Sequence, residues 1–97
     1  MRIISVKKFK DFSCGHPDSG RQLNLLVNYL KIENFENLNR VKNFFPYCSI
    51  LKNNRVVLNI CGNKYRAVLK FNFEMHICYV KFIDTHAEYD KINANTI

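Results

Sequence analysis

Residues 64–73 read Lys-Tyr-Arg-Ala-Val-Leu-Lys-Phe-Asn-Phe, and this stretch decides the fold. Apolar side chains occupy its odd-numbered positions, which is typical of a strand buried on one face. The even-numbered positions carry Lys64, Arg66 and Lys70. We therefore predict a sheet whose inner face packs against helices and whose basic outer face is open to solvent.

Shorter stretches on either side indicate further strands. We predict strands at residues 2–5, 55–60 and 77–83, with a turn over Cys61-Gly62-Asn63 before the long strand. Strict alternation in the last strand predicts two faces, formed by Cys78, Val80 and Phe82 and by Tyr79, Lys81 and Ile83.

The first half of the chain has helical periodicity instead. We predict helices over 6–14, from a cap at Asp18 or Ser19 onward, and over 37–44. Near the end of the chain, Thr85-His86-Ala87-Glu88 has the pattern of a capping box, which predicts a short helix over 86–92. The last five residues are expected to fray.

Composition limits the class of protein. The chain has 97 residues, a formal charge of +7 and four cysteines. We expect one domain, 1–97, of the α+β class: a mainly antiparallel sheet of three or four strands, two to three N-terminal helices on one face, and a short C-terminal helix. No apolar run approaches the length of a membrane span, and no leader or zinc spacing is visible, so we expect a cytoplasmic protein with reduced thiols.

The charge is concentrated in the predicted sheet. Between Lys52 and Lys81 there are six basic residues and one acidic residue, Glu74. Ordered cations on a sheet face favour binding to nucleic-acid phosphates. A solvated face that keeps an edge from aggregating, or a surface for an acidic protein, would give the same pattern.

A second candidate feature lies in the C-terminal helix. His86, Tyr89 and Asp90 have i, i+3, i+4 spacing and share one helical face. Histidine is the usual proton carrier near neutral pH, and a carboxylate one turn away can orient it. A surface histidine beside a tyrosine packed on the sheet is the structural alternative.

Three segments together resemble a known family. Residues 54–66 (NRVVLNICGNKYR), 79–83 (YVKFI) and 85–92 (THAEYDKI) are similar to the HigB toxins of bacterial toxin–antitoxin operons. The resemblance implies a RelE-like fold and an endoribonuclease that cleaves mRNA, often on translating ribosomes. It also implies a HigA-like helix-turn-helix antitoxin as partner, with operator DNA contacted only through that antitoxin, and no membrane.

The resemblance and the patterns together assign residue roles. The expected catalytic residues are Arg66, Lys81, His86 and Tyr89. Asp90 is expected to orient His86, and the expected RNA or phosphate ligands are Arg55, Lys64 and Lys70. No metal or cofactor is expected, because RNA supplies its own nucleophile, the 2′-OH.

Other functions remain open from the sequence. Lys81 stands where the family commonly has Arg. A lysine cannot form the bidentate contact that an arginine makes with a phosphate, so an inactive toxin homologue is one alternative. The alternatives are a non-catalytic RNA-binding module, a ParE-like inhibitor of DNA gyrase, and a purely protein-binding role.

Overall fold

The computed structural model describes residues 1–97 and has the α+β class that the sequence predicts. The strands are β1 (Arg2–Ile4), β2 (Ser49–Ile50), β3 (Arg55–Ile60), β4 (Tyr65–Asn72) and β5 (Ile77–Thr85). The helices are α1 (Lys7–Gly15), α2 (Gly20–Ile32), α3 (Leu38–Phe44) and α4 (His86–Tyr89), and a 3-10 turn spans Pro17–Ser19. None of these helices has the length and apolar character needed to cross a lipid bilayer.

The five strands form one sheet in the order β1-β5-β4-β3-β2. The pairs between β2, β3, β4 and β5 are antiparallel, and β1 pairs in parallel with β5. The sheet therefore has one more strand than the upper limit of our prediction. The extra strand is β2, whose two residues are too short to leave a period-2 pattern in the sequence.

The main core lies between the helices and the inner face of the sheet. From β4 it receives Ala67 and Leu69, both 0 % exposed, together with the other odd-numbered side chains of the strand. The helices contribute Phe9 from α1, Leu23, Leu26 and Leu30 from α2, and Val41 from α3. In the sequence, Leu23, Leu26, Val27 and Leu30 have the i, i+3, i+4, i+7 spacing of an apolar helical stripe, and Val27 is the half-buried member. Burial of each such side chain contributes about 1.5–3 kcal/mol, so this layer holds the sheet in place.

The first three helices lie within about one residue of the predicted bounds, but α4 ends at Tyr89 and not at Ile92 as predicted. One predicted cap also lacks its side-chain hydrogen bond. Asn37 caps α3 by accepting a hydrogen bond from the Arg40 amide at 3.0 Å. At α2, Ser19 stands at the predicted N-cap position, but neither its side chain nor that of Asp18 accepts a hydrogen bond from the helix. The Ser19 hydroxyl donates to the His16 carbonyl at 2.7 Å, and the Asp18 carboxylate binds side chains at the start of β4.

Strand β5 contains a bulge that the alternation rule did not predict. Val68 pairs with Phe82 and Leu69 pairs with Val80, so Lys81 has no partner on β4. The extra residue reverses the faces beyond it. The predicted placement of Phe82 and Ile83 is therefore wrong: Ile83 joins the main core and Phe82 lies on the outer face. The Lys8 ammonium donates to the Lys81 carbonyl at 3.3 Å and ties α1 to the bulge.

The outer face is not fully open, because the C-terminal segment (residues 90–97) returns across it. Ala94 is 7 % exposed and packs on Val57 and Val68. The side-chain oxygen of Asn95 accepts a hydrogen bond from the Lys52 amide at 3.2 Å. The expectation that this segment frays is therefore wrong. It covers the outer face at Arg55, Val57 and Val68, whereas Asn59 at the end of β3 stays exposed.

Candidate functional site

Arg66 lies at the centre of the polar part of the outer face. The β3–β4–β5 register places it between Asn59 and Asp84. Its guanidinium donates to the Asn59 side-chain oxygen, and the guanidinium carbon lies 5.8 Å from the centre of the Tyr89 ring. The aromatic face and the amide restrict the guanidinium, which leaves donors directed at the surface.

Helix α4 holds the predicted His86–Asp90 pair. The Thr85 hydroxyl accepts a hydrogen bond from the Glu88 amide at 3.2 Å, which is the first half of the capping box. The Glu88 carboxylate does not complete the box and pairs with Lys91 instead. His86 Nδ1 lies 3.0 Å from Asp90 Oδ2, as the i, i+4 spacing predicts.

Two contacts dock this short helix on the sheet. The His86 amide donates to the Lys64 carbonyl at 3.0 Å, just before β4 begins. The Tyr89 ring packs near Phe82, with 6.3 Å between the ring centres. Phe82 lies on the outer face only because Lys81 is unpaired. The packing of Tyr89 on Phe82 therefore depends on the bulge.

The remaining lysines of the outer face lie towards the other end of the sheet. Lys70 and Lys81 line one open cavity of about 660 Å³, together with Tyr79. The apolar row of Val68 and Phe82 lies between this cavity and Arg66. The structure thus groups Arg66 with Tyr89, on the helix that begins with His86, and groups Lys81 with Lys70.

Lys64 is already engaged by a carboxylate. Its ammonium lies 2.6 Å from Asp18 Oδ2, and the Tyr65 hydroxyl donates to Asp18 Oδ1 at 2.8 Å. The Lys64 hydrogen bond, and then that from Tyr65, lowers the pKa of Asp18 below its ordinary value. The same carboxylate raises the pKa of Lys64. The pair fastens the 3-10 turn to the start of β4 and partly neutralises one predicted RNA ligand.

Arg55 does not have the free position expected of an RNA ligand. It is 6 % exposed, and its Nε donates to the Ile97 carbonyl at 2.8 Å. Alternation correctly places Arg55 on the outer face opposite Lys70, but the C-terminal segment covers it there. We therefore assign Arg55 to holding that segment and not to RNA.

Sequence reasoning missed three neighbours of the site: Asn59, Asp84 and Phe82. Asn59 could have been found from the β3–β4 hairpin, since the turn after Ile60 sets Asn59 opposite Arg66. Asp84 and Phe82 carried no such signal, because their faces depend on the bulge. No three His, Cys, Asp or Glu side chains are grouped as they would be to hold a metal ion.

Comparison with known proteins identifies the family of the chain. Residues 19–92 match the profile of the HigB toxin family, described as the RelE-like toxic component of a toxin–antitoxin system. The chain belongs to the HigB toxin family. The matched segment contains all eight predicted site residues and most of the sheet on which they lie.

Curated HigB proteins match over nearly the whole chain. An mRNA interferase HigB of Escherichia coli O6:H1 is 32 % identical over 94 residues, which cover 95 % of this chain and 91 % of the relative. The mRNA interferase toxin HigB of Escherichia coli K12 is 31 % identical over 96 residues, covering 97 % and 92 %. The mRNA interferase HigB of Shigella flexneri has the same identity and coverage.

Proposed function

We propose that this HigB-family chain is an endoribonuclease that cleaves mRNA without a metal ion, on translating ribosomes, and that a HigA-like antitoxin neutralises it. The observation that carries the proposal is the placement of Arg66 against Tyr89, on the helix that bears the His86–Asp90 pair. The names of the curated relatives support mRNA as the substrate.

The proposed chemistry begins with the substrate's own 2′-OH. With the His86 Nδ1–H directed at Asp90, Nε2 of the neutral ring is free to accept the 2′-OH proton. The 2′-oxygen attacks the adjacent phosphorus and the bond from phosphorus to the 5′-oxygen breaks. The products are a 2′,3′-cyclic phosphate and a 5′-hydroxyl, and no atom changes its oxidation state.

Arg66 is proposed to stabilise the charge that develops on the phosphate. A guanidinium offers two parallel donors to two phosphate oxygens, and its contact with Tyr89 keeps the fork oriented. The leaving 5′-oxygen takes a proton from the Tyr89 hydroxyl or from water. Tyr89→Phe distinguishes these donors, because it keeps the ring over Arg66 and removes only the hydroxyl.

Lys70 and Lys81 are proposed to hold the flanking RNA backbone. Lys70 lies roughly 13 Å from Arg66 along β4, the rise of four strand residues. Lys81, in the bulge opposite Val68 and Leu69, lies roughly 8 Å along the sheet from Arg66 and lines the same cavity as Lys70. Both are proposed to contact the RNA strand beyond the scissile phosphate. This moves Lys81 from the scissile phosphate, where the sequence placed it, to a neighbouring one. Lys64 is proposed to contribute less, because Asp18 already pairs with it.

The test is cleavage of a defined mRNA in EDTA, once free and once on translating ribosomes. We expect new 5′-hydroxyl ends in the ribosome reaction and their loss with Arg66→Ala. Arg21→Ala, an exposed arginine on α2, is the matched control and should cut like the unaltered protein. RNA binding with no cut in either reaction would instead support the non-catalytic RNA-binding module.

A further inference from the structure

The cavity beside Lys70 and Lys81 has a wall that the proposed chemistry does not use. Asn53 and Asn54 line it from the turn between β2 and β3, and Tyr79 lines it from β5. The cavity encloses about 660 Å³. This volume is within the 300–1,000 Å³ range that is typical of small-ligand sites.

The backbone of the two asparagines is held in a defined conformation. Asn53 and Asn54 both have φ of 58°, the left-handed conformation required at the two central positions of a type I′ hairpin turn. The Arg55 amide donates to the Lys52 carbonyl across the turn at 3.3 Å, and the Phe71 amide donates to the Asn54 carbonyl at 2.9 Å. The backbone is thus tied to β4, while both side-chain amides remain exposed at the cavity.

The other walls have the chemistry of a nucleotide site. Tyr79 is half-buried on the outer face, opposite Lys70, and presents a ring on which a base can stack. Lys70 and Lys81 supply two ammonium groups against the single carboxylate of Glu74. A nucleotide could therefore place its base on the Tyr79 ring, the polar edge of the base at the asparagine amides and its phosphate at the lysines.

We propose that this cavity binds one unstacked nucleobase of the RNA strand, beyond the scissile phosphate on the Lys70 side of Arg66, and that Asn53 and Asn54 read its edge. The inference rests on the proposed function, because it names a second contact of the same RNA. An amide offers a donor and an acceptor side by side, which is the pattern that discriminates one base edge from another. Tyr79 supplies affinity for any base.

The test is to map the 5′ ends of cut mRNA in a reconstituted translation reaction, which contains RNA both free and on ribosomes. The double variant Asn53→Gly with Asn54→Gly removes both amides, and glycine accepts the left-handed backbone. We expect its discrimination between bases at one fixed position from the cut to fall roughly 5- to 150-fold, the equivalent of a bidentate base contact. Asn28→Ala, an exposed asparagine of α2, is the control and should keep the original preference.

Tyr79 is tested by a separate pair of variants. Tyr79→Leu should raise the RNA concentration for half-maximal cutting roughly 5- to 150-fold for every base, the effect of losing a stacking platform. Tyr79→Phe should restore binding, since it keeps the ring. A general loss of folding would lower the melting temperature of both variants, which is measured alongside.

The two proposals fail differently. If the unaltered protein cuts RNA and the glycine variant keeps the same base preference, the base site is wrong and the nuclease proposal stands. If the unaltered protein cuts no RNA in either form, the nuclease proposal is overturned and the base site with it.

Discussion

The guanidinium carbon of Arg66 lies 5.8 Å from the centre of the Tyr89 ring, so a strand in mid-sheet and the C-terminal helix meet at one cation. The two residues are far apart in the sequence. Their contact depends on β5. This strand starts at the end of the sheet that holds the Lys70–Lys81 cavity and reaches the level of Arg66 at Asp84, and α4 begins two residues later.

Replacement of Arg66 should affect catalysis more than charge alone predicts. We expect Arg66→Ala to lower the cleavage rate about 10²- to 10³-fold, the cost of removing one donor to a developing negative charge. Arg66→Lys should recover only part of this loss, because an ammonium lacks the bidentate fork. The measurement is single-turnover cleavage of a defined mRNA. Equal rates for Arg66→Lys and the unaltered protein would contradict a role for the fork.

Removal of the imidazole should also be costly. We expect His86→Ala to lower the cleavage rate about 10²- to 10⁴-fold, the usual contribution of general acid–base catalysis. Asp90→Asn should have a smaller effect, because it leaves the ring in place and alters only the partner of Nδ1. Single-turnover rates of both variants decide, with the exposed loop residue His76 replaced by Ala as the control. A fully active His86→Ala would remove His86 from the mechanism.

Asp18 should contribute to stability only in its charged form. Hydrogen bonds from Lys64 and Tyr65 lower its folded-state pKa, so its contribution is present above the unfolded pKa near 3.8 and is lost as the pH falls through the folded value. We expect Asp18→Asn to lower the melting temperature at pH 7 by a few degrees at most. The difference from the unaltered protein should shrink below about pH 4. Thermal melts at several pH values test this, and a constant difference would refute it.

The four free thiols should differ sharply in reactivity. Cys78 is 0 % exposed, and burial raises its pKa to about 12, whereas Cys14 is exposed. We expect iodoacetamide at pH 8 to modify Cys14 in the folded protein and Cys78 only on unfolding. Because the folded-state pKa is raised, stability should fall as the pH rises from 9 towards 12. The measurement is mass spectrometry of the alkylated protein, with Cys14→Ser as the control. Modification of Cys78 before Cys14 would contradict the prediction.

Local patterns were sufficient to predict most of the fold. The alternation in residues 64–73 places each inner side chain correctly, because every odd-numbered position of β4 meets the same helical layer. The apolar stripe of α2 and the helix predicted over 37–44 are also local patterns, and both predictions are confirmed, with Asn37 as the cap of α3. The i, i+4 spacing of His86 and Asp90 likewise predicts that their side chains share one face, and the two are in contact.

The errors come from contacts between distant parts of the chain. A lone arginine in register with Lys70 has the pattern of a solvent-exposed cation, yet Arg55 is covered by residues some forty positions later. The bulge at Lys81 has no sequence mark, since lysine fits either a strand or a bulge. Asp18 has the pattern of a helix cap, but Lys64 and Tyr65 offer it stronger hydrogen bonds.

The bulge also sets how β5 should tolerate substitution. Before Lys81, even-numbered positions are core and odd-numbered ones accept polar side chains; after it the rule is inverted, as Ile83 shows. If the stability of every single substitution along this strand is measured, the sensitive positions should be even-numbered before Lys81 and odd-numbered after it. Deletion of the single residue 81 would restore a regular ladder with the present pairs, Val80 with Leu69 and Phe82 with Val68. The following segment, with His86 and Tyr89, should therefore keep its side of the sheet, whereas insertion of one further residue there would turn it to the other side.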